Sequence, residues 1–197
     1  MYLEMEVDAP QGSPLHKVVE EHLTDSHRIG FNDPPPNNYA YISGWSFPPR
    51  NGYRGQEADP LYSALAMEMG FTPHSGSPHF SVHPVPDGGY RISGTLMYWR
   101  KTNSIHAWFV EKVQNGVDDC NRYEVSREKI LELVALCEAI SVDHMQARLL
   151  PPQAGFFFGS TEYDDWYFKD ISDTAIELKT QLELAPAHAR FYYQSSW

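Results

Sequence analysis

The sequence predicts an α+β fold, with a mainly antiparallel or mixed sheet packed against three to five helices. Short strand-like runs separated by turn residues fill the first half, where twelve of the fifteen prolines fall before residue 87. Near residue 100 the apolar spacing changes from a period of two to the helical i, i+3, i+4 pattern. No internal repeat or low-complexity tract interrupts either half. With 197 residues the chain reads as a single domain, 1–197, carrying a Pro-rich loop or insert at about 26–95.

The elements follow in order. MYLEMEV alternates Met1, Leu3, Met5 and Val7 with Tyr2, Glu4 and Glu6, as a half-buried strand does. Ser13-Pro14 supplies an N-cap and a first-turn proline for a helix with Leu15, Val18, Val19 and Leu23 on one face. FNDPPPNN is a loop at 31–38, and YAYISGWSF a strand after it. Asp59-Pro60 opens a short helix that stops at Gly70. HFSVHPV and YRISGTLMYW flank Pro86-Asp87-Gly88-Gly89, a hairpin signal. Thr102 caps a helix over about 103–114, with Ile105, Trp108, Phe109 and Val113 inward and Asn115-Gly116 as its end. Ser126 caps the next, striped by Ile130, Leu133, Val134 and Cys137. Gly155–Gly159 brackets three phenylalanines that read as a strand buried on both faces. A Thr161-x-x-Asp164 capping box then starts a helix to about 184, and RFYYQSSW closes the chain as a strand.

Charge narrows the partners. A net charge of −11 argues against nucleic-acid binding through phosphates and against an anionic membrane surface. No apolar run is long enough to span a bilayer, and MYLEMEVDAP does not read as a signal peptide. Two cysteines, Cys120 and Cys137, lack CxxC spacing, so reduced thiols in a cytoplasmic setting are expected.

The chemistry concentrates in YWRKTNSIHAWFV, residues 98–110. A strand running into a helix leaves backbone N–H groups free at the positive end of the helix dipole. Arg100 and Lys101 arrive just before that point, Asn103 adds an amide, and Trp99 or Trp108 offers a stacking face. Such a set suits a phosphate or carboxylate joined to an aromatic group. The competing reading pairs Arg100 and Lys101 with the surplus carboxylates and puts both tryptophans in the core. His106, at the edge of the apolar face, is either a general acid or base, or a satisfied boundary residue whose loss spares folding. No serine or cysteine nucleophile motif accompanies it.

Ser160 and Thr161 mark a second strand-to-helix junction, and Tyr163, Tyr167 and Tyr193 can add polar tips if the two junctions share a pocket. Glu162, Asp164, Asp165, Asp170 and Asp173 crowd the start of the last helix, opposed by Lys169. The dipole alone favours acids there, ion pairs with Arg100 and Lys101 are open to them, and no hard-cation loop spacing is present. His79-x-x-x-His83 keeps two rings on one strand face without a third ligand. No metal and no cofactor are therefore expected.

WRKTNSIHAWFV, VQNGVDDCNRYEVS, LLPPQAGFFFGSTEYDDWYF and the terminal FYYQSSW resemble a family of phage and prophage proteins. Its members show Trp-Arg-Lys-x-Asn-x-Ile-His-x-Trp-Phe-Val, then Gly-Phe-Phe-Phe-Gly, then a Ser-Ser-Trp end. The resemblance covers residues 1–7 and roughly 96–197 and leaves the Pro-rich stretch unmatched. It implies a viral protein in the cytoplasm of an infected bacterial host, and no particular activity.

Three function classes follow. The first captures a small anionic or nucleotide-like molecule, which in a phage setting means sequestering a host immune signal as counter-defence. Its contacts are Trp99, Arg100, Lys101, Asn103, His106, Trp108, Ser160, Thr161, Tyr163 and Tyr167. The second is an enzyme acting on such a molecule with His106 as acid or base; otherwise no catalytic residue is assigned. The third is an acidic protein that blocks a host protein. A homo-oligomer is open to all three.

Overall fold

The computed structural model describes residues 1–29, 39–43, 59–70, 79–155 and 160–196. The expected loop at 31–38, the end of YAYISGWSF and the phenylalanine strand at 156–158 lie outside the described residues. The fold is α+β. Contacts gather the chain into two compact units: one holds Met5–Thr95 and Leu184–Ala189, the other Met1–Glu4, Leu96–Glu183 and Arg190–Trp197.

The first of these units contains most of β1 (Tyr2–Ala9), then β2 (Arg28–Ile29), β3 (Tyr39–Ser43), β4 (His79–Pro84) and most of β5 (Tyr90–Tyr98), in the sheet order β2-β3-β4-β5-β1. β3 and β4 pair antiparallel with Ala40 opposite Val82, and β4 and β5 do so with Phe80 opposite Gly94. Met5 and Val7 of β1 are buried as expected, but Glu6 between them is buried too, its carboxylate 3.5 Å from Arg91 Nε, so the expected alternation is broken there. The hairpin turn closes through Val85 N–H donating to Gly89 C=O at 3.0 Å, while Gly88 takes φ +82°, a value favourable for glycine. Helix α1 (Pro14–His22) begins where Ser13 Oγ accepts from His16 N–H at 3.2 Å. Helix α2 (Pro60–Glu68) begins where Asp59 accepts from Leu61 N–H at 2.8 Å. Both caps stand where the sequence puts them, because a short polar side chain followed by proline fits the N-terminus alone.

His79 and His83 face one side of β4, stacked on Tyr41 and Tyr39 with ring centroids 5.1 and 5.3 Å apart. Four residues of strand separate them by roughly 13 Å, too far for one ion. Among the described residues no group of three or more His, Cys, Asp or Glu could hold a metal.

The second unit carries α3 (Asn103–Lys112), β6 (Tyr123–Val125), α4 (Arg127–Val142), a 3₁₀ turn over His144–Leu149, α5 (Asp165–Leu184) and β7 (Arg190–Gln194). β6 and β7 pair antiparallel with Glu124 opposite Tyr192. Ser126 Oγ caps α4 by accepting from Lys129 N–H at 3.2 Å, and the stripe of Ile130, Leu133, Val134 and Cys137 is buried. Burial pushes the Cys137 thiol up to about 12, which makes it a core residue and no nucleophile. Helix α3 ends at Lys112 rather than 114, and Asn115 and Gly116 both turn left-handed, at φ 55° and 78°. The core of this unit centres on Phe109, stacked on Tyr193 at 4.0 Å and 6° and met edge-on by Trp108 at 5.1 Å.

Candidate functional site

The site grows from the exit of β5. Trp99 is held by a backbone ladder, its N–H donating to Met1 C=O at 2.9 Å. Its indole Nε1–H donates to Thr174 Oγ1 at 2.9 Å in a buried setting. Arg100 then leaves the core and Lys101 turns at φ 63°, a left-handed value unusual for a side chain of this size. That reversal aims the chain into α3. Asn103 fastens the junction: its amide donates to Ser160 C=O at 2.9 Å, and its carbonyl accepts from Gln153 N–H at 3.2 Å. The two junctions flagged in the sequence are thereby tied together, in one unit.

Thr102 stands at the N-cap position of α3 without capping it. Its hydroxyl donates to Asp170 Oδ2 on α5 at 2.8 Å. Ser104, in the first turn, is 2% exposed, borders the cleft, and has no side-chain hydrogen-bond partner among the described residues. No acidic residue occupies that turn. The start of α3 therefore keeps its positive end unneutralised from within the helix.

A cleft of about 380 Å³ opens over this junction. Arg100 and Lys101 line it together with the first turn of α3. Neither side chain enters an ion pair or a hydrogen bond among the described residues, although Glu162, Asp164 and Asp170 line the same cleft. Trp166 of α5, 74% exposed, also lines the cleft. Ser160 and Tyr167 complete the wall.

Each carboxylate has its own setting. Asp164 caps α5, its Oδ1 accepting from Tyr167 N–H at 2.9 Å. Asp170 is half-buried, and burial pushes its carboxyl above the usual range while the Thr102 hydroxyl pulls it back. Glu162 is exposed; its backbone N–H donates to Ser160 Oγ at 3.0 Å, and its carboxylate has no partner among the described residues. Lys169 pairs with Asp173 along α5.

The expected Thr161-x-x-Asp164 box needs correcting. Helix α5 starts at Asp165, so Asp164 is the cap itself and Thr161 lies exposed before it. The residue that closes a carboxylate bond to the first turn wins over the residue three positions earlier. Asp164→Ala is expected to destabilise the fold by about 1 kcal/mol, with little change for Thr161→Ala, as a shift in urea midpoint will show.

Of the ten residues assigned to ligand contact, Arg100, Lys101, Asn103, Ser160 and Tyr167 come together at the cleft. Asn103 and Tyr167 serve it as scaffolding. The Tyr167 hydroxyl donates to Leu150 C=O at 2.8 Å, and burial pushes its phenol well above the ordinary range. Tyr163 meets Tyr167 edge-on at 5.1 Å and, like Thr161, does not border the cleft.

Trp99, His106 and Trp108 belong to the core: 3%, 0% and 7% exposed. Their spacing on α3 and at the end of β5 faces inward, so burial outweighs any ligand role. His106 Nδ1 lies 2.6 Å from the Tyr193 hydroxyl and Nε2 lies 3.2 Å from Asp118 Oδ1. The carboxylate favours a proton on Nε2, which leaves Nδ1 to accept from the phenol. Burial holds the imidazole below its ordinary pKa, with Asp118 opposing. An enclosed ring of this kind cannot reach a molecule in the cleft.

Sequence reading missed Trp166 and Ser104. Trp166 had a signal: the buried stripe of α5 runs through Tyr167, Ile171, Thr174 and Leu178, and Trp166 falls off it. Ser104 had none, since a first-turn serine is commonplace. No protein-family profile, no curated protein and no solved structure matches this chain.

Proposed function

We propose that the protein captures a small anionic, nucleotide-like molecule in the cleft at the start of α3. The observation that carries this reading is that Arg100 and Lys101 line the cleft with no ion pair among the described residues, in a chain of net charge −11. Acidic neighbours are plentiful, so unpaired cations beside a helix N-terminus favour an external anion. The Ser104 hydroxyl supplies a further donor at the same spot, and exposed Trp166 a face for an aromatic ring. The volume of about 380 Å³ suits one small molecule.

Binding rather than turnover is the better reading, because the candidate acid–base group, His106, is enclosed. The phage-like motifs favour a setting in an infected bacterial cytoplasm, where withdrawing a host nucleotide signal would serve counter-defence. Among the described residues no helix is long and apolar enough to cross a membrane.

Thermal melts and calorimetry against a panel of mononucleotides test the reading. Arg100→Ala is expected to weaken the best ligand by roughly 1.5–3 kcal/mol, the range for hydrogen bonds to a charged group, and to leave the ligand-free melt unchanged. Trp166→Ala is expected to cost roughly 1–3 kcal/mol of binding, the range for base–aromatic stacking. A panel with no binder, or an Arg100→Ala protein that melts early without ligand, would sink the proposal.

A further inference from the structure

We infer that the cleft selects a nucleoside monophosphate whose base carries an exocyclic amino group, with Glu162 as the residue that reads that group. This rests on the capture of a nucleotide-like anion proposed above and names its class.

The inference starts from the imbalance of the lining. Arg100 and Lys101 face three carboxylates, Glu162, Asp164 and Asp170, inside one cleft. A bare phosphate placed there meets more negative than positive charge, and like charge close by disfavours it. A ligand with an anionic end and a donor-bearing end satisfies both kinds of wall. The anionic end belongs with the cations, because the Ser104 hydroxyl and the N-terminus of α3 add donors there. The donor-bearing end belongs with an acceptor that is still available.

Of the three carboxylates, Glu162 is the one with no partner on either oxygen among the described residues. Asp164 is engaged as the cap of α5 and Asp170 accepts from Thr102. Glu162 has no side-chain hydrogen bond or ion pair among the described residues. Its backbone, by contrast, is fixed: the N–H donates to Ser160 Oγ at 3.0 Å, and Ser160 C=O is itself held by Asn103. A free acceptor on a pinned backbone is arranged to meet a donor. Trp166, four residues further along the chain, lines the same cleft and offers an exposed ring face. An amino-bearing base stacked there presents its N–H edge to a carboxylate, a charge-assisted bond that a base without the amino group cannot form.

Matched nucleotide pairs decide it: adenosine 5′-monophosphate against purine riboside 5′-monophosphate, and cytidine against uridine 5′-monophosphate. Calorimetry with the full chain is expected to show the amino-bearing member of at least one pair binding about tenfold tighter or more. Glu162→Ala, an exposed change, is expected to erase that preference while the amino-lacking partner binds as well as before or better. If both members of each pair bind the wild-type protein equally, or the preference survives Glu162→Ala, the inference is overturned and anion capture stands. If no member binds at all, capture fails and this inference with it.

Discussion

Phe109→Ala is expected to lower the unfolding free energy by about 3–5 kcal/mol, the range for deleting a buried phenylalanine. Phe109 has no solvent exposure and lies flat against Tyr193 at 4.0 Å, with Trp108 edge-on at 5.1 Å and Trp99 tilted at 5.7 Å. Three rings, from α3, β7 and the residue after β5, thus meet at one side chain. Deleting it removes the ring's own transfer energy and leaves a void that rigid aromatic neighbours cannot close. A domain whose whole stability is about 5–15 kcal/mol would lose much of it. Urea unfolding of the two proteins measures the difference. A loss under about 1 kcal/mol would mean that the cluster repacks, contrary to the picture of a core fixed by stacked rings. Arg100→Ala is the companion measurement, since it lies next to the same cluster yet has no partner to lose among the described residues. One change should cost stability and the other binding.

That contrast explains what the sequence could and could not show. The α+β class was legible because local signals agreed with one another: Ser13 and Asp59 before prolines, Gly88 in the hairpin turn, and the Ile130–Cys137 stripe. The convergence expected of residues 98–106 and 156–163 was legible in part: Ser160 and Glu162 reach the cleft, Thr161 and Tyr163 do not border it, and 156–159 lie outside the described residues. Trp108 and Phe109 were read as inward and are buried, but the stacking face of the cleft was not legible. Trp108 and Trp166 are the same residue type on two helices, and helix phase decides which faces water. Phase places Trp108 inward on α3 and Trp166 outward on α5, so the stacking face belongs to the last of them. The boundary of α5 was misplaced because Thr161 and Asp164 are both good caps, and only the bond from Tyr167 N–H chooses between them. His106 was read as a boundary residue because its partners, Asp118 and Tyr193, lie 12 and 87 positions away.

The depth of His106 gives a pH dependence with a definite sign. Its folded-state pKa lies below the ordinary 6.5 because burial disfavours the imidazolium, and the Asp118 carboxylate offsets only part of that. Below about pH 6.5 the unfolded chain takes up a proton at this position that the folded protein refuses. The unfolded state then binds more protons, so stability falls as pH falls, by up to about 1.4 kcal/mol per pH unit for one proton. The loss stops once pH passes the folded-state value. His106→Gln cannot titrate and should flatten this part of the curve, the remaining acids and histidines cancelling in the comparison. His106→Ala should also be less stable at neutral pH, by roughly 3 kcal/mol or more. It vacates a fully buried site and strips the Tyr193 hydroxyl, itself without solvent exposure, of its imidazole partner. Urea midpoints of the wild type and both variants between pH 5 and 7.5 provide the test. Parallel curves for the wild type and His106→Gln below pH 6.5 would show that the ring is charged in the folded state. Asp118 would then govern the site, and the buried chain of Asp118, His106 and Tyr193 would be an ion pair rather than a neutral relay.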